Sequence, residues 1–392
     1  MARARSGSAV KKGLKFFLYG AQGTKKSTFS LDFMKMKNEN GEPLRVFYLD
    51  TEFGSIDNYL EMLEEQGIDL ANLFIVYANT YNEAEEWLTK AIDDEDIYYE
   101  NDEGEEVLAI DAEGNPFRAD VIVVDSITPI QDTVKYGMIK TSEKRAKLKA
   151  RKKDGASQAE IFVAEATAGM EFKDYDKLQA KGKNLLRSLI TRTNKYVCVV
   201  SREKDKKEQV KDSSGGLPRS VKVGVMPDAP KDAEYEFFTV IHMTEDEDTG
   251  EVHGQIERKD RTLTFERGEI IENPSPMLWQ CVIDGNKGKK GLTSTESKNY
   301  DEIVEQESND QYSSGKTSKP KDGNSSDTSI EPDANNPDSI IDAIKDIRNG
   351  LSPSKKQSLS ANFSKAGVPK QPKADMKIEV LLKMLEVAKE MK

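Results

Sequence analysis

The chain of 392 residues holds only two cysteines and two histidines. Cys198 and Cys281 both lie in apolar runs, so they are expected to be reduced core residues, not a disulfide or metal framework. His242 and His253 are too few for a zinc site. No run of about 18 apolar residues occurs, so no membrane-spanning helix is expected. Residues 1–13 are basic but carry no hydrophobic segment, which reads against a secretory signal. A cytoplasmic location with no membrane partner follows as the expectation.

Positive charge is also in deficit. The formal net charge is -12, which argues against a generally sticky nucleic-acid binder. Charged residues nevertheless make up 33% of the chain, and the mean hydropathy is -0.68. Acid concentrates between Glu83 and Glu113. Base concentrates at the N-terminus, in Lys144–Lys153 and around Lys204–Lys222. Local basic surfaces therefore remain available.

The stretch around which the chain is organised runs from Leu14 to Phe29. An apolar run, Leu14 to Tyr19, feeds a Gly-containing turn that opens into a helix through Ser27 and Thr28. This is the layout of a phosphate-binding loop, G-x-x-x-x-G-K-[ST]. Gly20, Ala21, Gln22, Gly23, Thr24, Lys25, Lys26, Ser27 and Thr28 are the expected nucleotide cradle, with backbone N–H groups turned toward the anion. Lys26 stands where the phosphate-contacting lysine belongs, and Ser27 where the Mg²⁺-ligating hydroxyl belongs. Lys25 replaces the second consensus glycine and carries a modest penalty if that backbone needs φ > 0.

Two further stretches fit the same machine. Val121–Asp125 is an apolar run followed by Ser126, the signature of a strand buried on both faces, and it places the Asp125 carboxylate beside the loop to hold Mg²⁺. Asp50-Thr51-Glu52 ends the short run Arg45–Asp50, the strand after the loop helix. Glu52 there can orient and deprotonate an attacking water. Further strands are expected at Leu73–Tyr77, Tyr196–Val200, Phe237–Met243, Gly254–Lys259, Thr262–Phe265 and around Trp279–Ile283. Helices are expected at Phe29–Lys37, Ile56–Gln66, Tyr81–Ile92 and about Phe172–Asn194. Strands alternating with helices imply an α/β fold with a mostly parallel sheet. Turn signals at Asp102-Glu103-Gly104 and Glu113-Gly114-Asn115-Pro116 mark Ile97–Arg118 as a solvated acidic hairpin.

The expected domains are a core over 1–292, with the acidic insertion at about 93–118, then a linker over 293–335 and a module over 336–392. The linker is Ser/Asn/Asp/Lys-rich and reads as disordered. The module shows apolar residues at helical spacing (Ile340, Ile341, Ile344 and Ile347; Leu359 and Phe363; Ile378, Leu381, Leu382 and Leu385) and reads as three small helices.

The loop, the Asp50-Thr51-Glu52 stretch, Val121–Ser126 and the strand ending in Ser201 together resemble the RecA superfamily of ATPases. Within it the chain looks most like phage RecA-like, AAA-domain NTP-binding proteins of recombination and single-strand annealing. Asp174-Tyr175-Asp176-Lys177-Leu178 adds a further likeness, and the similarity spans about Leu14 to Asp284. The resemblance implies a RecA-like P-loop core that binds ATP and Mg²⁺ and hydrolyses the nucleotide with Glu52. It implies action on single-stranded DNA in phage recombination, repair or replication, as a homo-oligomer in the host cytoplasm. Lys259-Asp260-Arg261 resembles the K-x-R element that reaches a neighbour's nucleotide, so Arg261 and Lys259 would supply charge in trans.

Two basic segments are candidates for DNA. The first follows Ser201, where RecA-like proteins place a flexible DNA-binding loop, and it carries Lys204, Lys206, Lys207, Lys211, Arg219 and Lys222. The second, Lys144–Lys153, holds seven basic residues in ten. Both would bind phosphates without reading sequence, and neither interleaves aromatics. The C-terminal module would recruit a partner such as a single-strand binding protein. The alternatives are a nucleotide-dependent switch or scaffold with little turnover, and a helicase or helicase loader of the same superfamily.

Overall fold

The computed structural model describes residues 10–291, apart from positions 102, 154, 211–218, 259 and 290, and a set of positions between 340 and 389. The first compact unit is built on a nine-stranded sheet. In chain order its elements are β1 (Lys15–Gly20), α1 (Lys26–Leu31), β2 (Val46–Asp50), α2 (Asp57–Glu65), β3 (Leu73–Tyr77) and α3 (Tyr81–Asp93). There follow the short hairpin strands β4 (Tyr98–Glu100) and β5 (Glu106–Leu108), then β6 (Val121–Asp125), α4 (Ile127–Arg151), α5 (Gln158–Ala166) and α6 (Phe172–Thr191). The last group is β7 (Tyr196–Val210), β8 (Arg219–Pro227), β9 (Thr239–Glu245), β10 (Val252–Ile256), β11 (Ile270–Glu272) and α7 (Gln280–Asp284).

The sheet order is β11-β10-β9-β1-β7-β6-β2-β3, with β8 paired to β7 outside that path. Neighbours from β9 across to β3 are parallel, whereas β10 and β11 close one edge antiparallel. The α/β class with a mostly parallel sheet is therefore as expected.

Burial on both faces explains why the strands read as unbroken apolar runs. Phe17, Tyr19, Phe47, Leu49, Ile122 and Val124 point to the face covered by α3, α4 and α6. Phe16, Leu18, Tyr48, Val121, Val123 and Cys198 point to the other, with Phe29 of α1 and Trp279. Phe16 and Phe265 lie 4.9 and 4.8 Å from the Trp279 ring, and the indole N–H donates to Asp260 at 3.1 Å.

Four expectations are corrected. Thr262–Phe265 is not a strand but a turn wrapped on the buried Asp260 carboxylate, which accepts from the backbone of Thr262, Thr264 and Phe265 and from the Thr239 hydroxyl. Trp279–Ile283 is a short helical stretch, entered through Pro276 and capped by the Ser275 side chain. Cys198 is buried, but Cys281 is exposed, because Val282 and Ile283 form the inner face of α7. The segment after Ser201, outside positions 211–218, is a paired ribbon and not a loop. β7 runs on past the sheet and pairs antiparallel with β8 in a two-stranded ribbon, with a bulge at Lys206/Lys207.

The acidic hairpin forms where its turns were read, with Gly104 and Gly114 at φ 78 and 80. It is only half solvated. Ile97, Ala109, Phe117 and Ala119 join the core, the Phe117 ring lies 5.6 Å from Phe74, and Asp111 is buried against Arg45.

Positions 293–335 lie outside the described residues. A second compact unit begins at Thr317. Its described positions include the helix Ile378–Lys389 and a core of Ile340, Ile341, Ile344, Leu359, Phe363 and Leu385 among others, the apolar positions expected from the sequence. Ile347, Ile378 and Leu382 pack at its margin.

Candidate nucleotide site

The C-terminal ends of three neighbouring strands meet the point where β7 leaves the parallel sheet: Gly20 of β1, Asp50 of β2, Asp125 of β6 and the Ser201-Arg202 step of β7. Parallel strands put these ends on one edge, and a ligand cavity at such an edge follows from the topology. The cavity measures about 630 Å³ and is lined by the Gly20–Thr28 loop apart from Thr24, with Glu52, Asp125, Ser126, Ser201 and Arg202 among the rest.

The loop turns on two residues of positive φ, Gly23 at 88° and Lys25 at 54°. Lys25 is held in the left-handed region at the N-cap of α1, so the penalty foreseen for a side chain there is real and costs on the order of 1 kcal/mol. Lys25→Gly is accordingly expected to raise the melting temperature by about 2–4 °C, to be read by thermal unfolding. The Thr24 hydroxyl donates to the Ala21 carbonyl at 2.9 Å, closing the loop from inside. Lys26 folds back over the loop, its ammonium donating to the Ala21 carbonyl and to the Thr24 hydroxyl. Burial lowers its pKa, an effect opposed by Asp125 and Glu52.

Asp125 is almost wholly buried, and desolvation pushes its carboxyl above the usual range, against the hydrogen bonds it accepts. Those bonds come from the Ser27 and Tyr48 hydroxyls, both at 2.6 Å and both on Oδ2. A buried carboxylate beside a serine hydroxyl at the mouth of a phosphate loop is a hard-oxygen donor set that suits Mg²⁺. That ion takes one or two protein ligands and fills the remaining positions with water and phosphate. Among the described residues no group of three or more His, Cys, Asp or Glu forms a metal site of its own.

The Asp50-Thr51-Glu52 stretch divides its labour. Asp50 accepts from the backbone N–H of Glu52, Gly54 and Ser55 at 2.7, 2.9 and 3.1 Å, so it fixes the turn. The Thr51 hydroxyl donates to the Ser126 carbonyl and accepts from the Ser126 N–H, both at 2.8 Å, locking β2 to the end of β6. Glu52 is thereby presented to the cavity. Its Oε1 accepts from the Ser126 hydroxyl at 3.1 Å and from the Arg202 guanidinium at 2.9 Å.

Arg202 was not singled out from the sequence. Its only signal there is its place, one residue past the polar end of a buried strand.

None of the other expected residues that are described lines this cavity. Arg261 donates to the Tyr235 carbonyl at 3.2 Å, with its guanidinium 5.5 Å from the Phe238 ring. Lys259 lies outside the described residues, as does Lys211. Lys204 pairs with Asp228 and Lys222 with Asp205, while Lys206, Lys207 and Arg219 are exposed along the ribbon.

The strand order and the loop define an α/β domain whose mostly parallel sheet carries the phosphate-loop pattern at its C-terminal edge. No family model matches the chain, and no curated protein matches it. Among solved structures the chain is similar to the RadB recombinase, at 16% identity and a TM-score of 0.33 over 67% of this chain and 87% of that one. It is also similar to a KaiC-like protein from the hyperthermophilic archaeon Pyrococcus horikoshii, at 14% identity and a TM-score of 0.32 over 69% of this chain and 94% of that one. Likenesses this distant carry nothing about activity. Among the described residues no helix is long and apolar enough to cross a membrane.

Proposed function

We propose that the chain binds MgATP at Gly20–Thr28 and hydrolyses it, with Glu52 as general base and Ser27 and Asp125 holding the ion. It would act on single-stranded DNA in phage recombination, repair or replication. One observation carries the ATPase reading: Lys26, the Ser27–Asp125 pair and Glu52, drawn from three separate stretches of sequence, face a single cavity. The loop would cradle the phosphates, Lys26 would leave the Ala21 carbonyl for them, and Glu52 would take the proton of the attacking water. Arg261, exposed and outside its own cavity, is proposed to act on the nucleotide of a neighbouring copy. Lys206, Lys207 and Arg219 on the ribbon are proposed to meet the DNA backbone, and the C-terminal module to recruit a recombination partner.

A switch with little turnover has one observation in its favour, the hold of Arg202 on Glu52. The two readings part on ATP turnover by the whole chain, with and without single-stranded DNA, beside Lys26→Ala. Turnover that rises with DNA and vanishes in Lys26→Ala is the expected result. Tight ATP binding without turnover selects the switch, and no ATP binding removes both.

A further inference from the structure

Helix α4 starts at the nucleotide edge and leaves it. Its N-cap is Ser126, whose hydroxyl donates to Glu52. Ile127, Ile130 and Val134 pack into the core, but in the second half only Ser142 and Ala150 are buried. At 25 residues the helix is about 37 Å long, so more than half of it stands clear of the sheet. α5 folds back on that half, tied by the Lys147–Glu165 ion pair, and the start of α6 is tied to it through Arg145 and Asp174.

This arm has two properties that seldom occur together on an unpartnered surface. From Lys135 to Lys153 it carries nine Lys/Arg against one Glu. Lys140, Arg145 and Lys147 pair with acids, whereas Lys144, Lys149 and Lys152 stand on the exposed face. The arm also exposes large aromatic rings: Tyr136 is 63% exposed, Phe162 70% and Phe172 93%. Tyr136, Lys140, Lys144 and Leu148 follow one another at four-residue intervals and so share one stripe of α4. The sequence alone showed the basic run without rings, because Phe162 and Phe172 reach the arm only through the fold of α5 and α6.

We infer that the α4–α6 arm is a binding platform for single-stranded nucleic acid, in which Phe162, Phe172 and Tyr136 stack bases while the lysines of α4 meet phosphates. The composition selects this ligand over a protein. Protein interfaces are poor in lysine at their centre, whereas exposed cations together with exposed rings are what a flexible polyanion with stackable bases requires. The platform reads no sequence, since every base offers a ring face. It is a site distinct from the ribbon. Because its helix begins on the Ser126–Glu52 contact, a strand lying along it is tied to the nucleotide site. That link, unlike the platform itself, rests on the ATPase reading.

The test uses the whole chain and a fluorescein-labelled oligothymidylate of thirty nucleotides, with affinity read by anisotropy at several salt concentrations. Phe162→Ala is expected to weaken binding by about five- to hundredfold. Lys144→Ala with Lys149→Ala is expected to lower the slope of log affinity on log salt by about 1.4. Both variants lie on the surface, and unchanged thermal unfolding checks that they fold. Affinity and slope equal to those of the wild type in both variants would overturn the proposal. So would an assembly that dissociates in Phe162→Ala with oligonucleotide affinity intact, which would make the arm a protein interface. If binding is lost only in Lys206→Ala with Lys207→Ala, the ribbon is the DNA site and the arm is not. A wild-type chain that ignores the oligonucleotide removes the DNA role altogether, and ATP turnover in the same sample shows whether the ATPase reading survives.

Discussion

Glu52→Gln is expected to cut ATP turnover by about two to four orders of magnitude and to leave ATP binding intact. The amide keeps the size of the side chain and cannot accept the proton of the attacking water. The turn that presents the residue is built by other groups. Asp50 holds the backbone of Glu52, Gly54 and Ser55, and Thr51 clamps Ser126. What the substitution removes structurally is the ion pair with Arg202, whose side chains are 57% and 31% exposed. A pair so open to water contributes little to stability, within about 0.5 kcal/mol. The melting temperature should therefore stay put while turnover falls. A steady-state assay beside equilibrium binding of a labelled ATP separates the two effects. Full turnover in the variant would remove Glu52 as the base. Full biological function with no turnover in either form would favour the switch.

Gly20→Ala is expected to cost far more stability than any other single methyl added to this chain at a described glycine. A Cβ on Gly20 would stand 2.1 Å from the carbonyl oxygen of Met243 and 3.0 Å from its carbon. Both contacts are to backbone, and both belong to strands at the centre of the sheet, since Gly20 is registered against Met243 of β9 on one side and Arg202 of β7 on the other. No side chain can swing away to make room, so β1 and β9 must part just where the phosphate loop begins. A loss of about 3–5 kcal/mol is expected, with ATP binding abolished. Gly67→Ala is the control. Gly67 has a φ of 77° and open space around it, so only the left-handed backbone is strained, at about 1 kcal/mol. Thermal unfolding of the two variants side by side measures the difference. Equal melting temperatures would mean that the sheet yields at Gly20.

The parts of the site that were legible in the sequence share one property: their signal is local. A buried parallel strand must be apolar throughout and a phosphate loop must follow it, so Leu14–Phe29 and Val121–Asp125 stand out without any knowledge of the fold. Glu52 was legible as a carboxylate at a strand end, although nothing local separates its role from that of Asp50. The structure separates their surroundings: Asp50 is held by the three amides, while Glu52 faces the cavity. The ribbon was read as a loop for an opposite reason. Strands are recognised by one buried face, and Val221 and Val223 of β8 are exposed like the lysine between them. Trp279–Ile283 misled because a five-residue, mostly apolar run has no period of its own. The Ser275-Pro276 step was the sign of a helix start. Arg202, Phe162 and Phe172 were invisible, since each matters only through a partner distant in the chain.

β7 is a single strand of 15 residues doing two jobs. Its first six residues are buried, Val197 to Arg202 are registered against β1, and the eight from Glu203 to Val210 form the ribbon. No loop intervenes between the two halves. From Arg202 to Val210 the strand reaches about 26 Å outward, with its one irregularity at Lys206/Lys207. The ribbon is thus a lever whose fulcrum stands beside the phosphate loop. If Arg202 exchanged Glu52 for a bound phosphate, a rotation of a few degrees there would become a displacement of an ångström or more at Val210 by the arithmetic of a rigid strand. On the proposed reading, whatever the ribbon holds would be positioned by the occupancy of the nucleotide site, because one continuous strand joins the two.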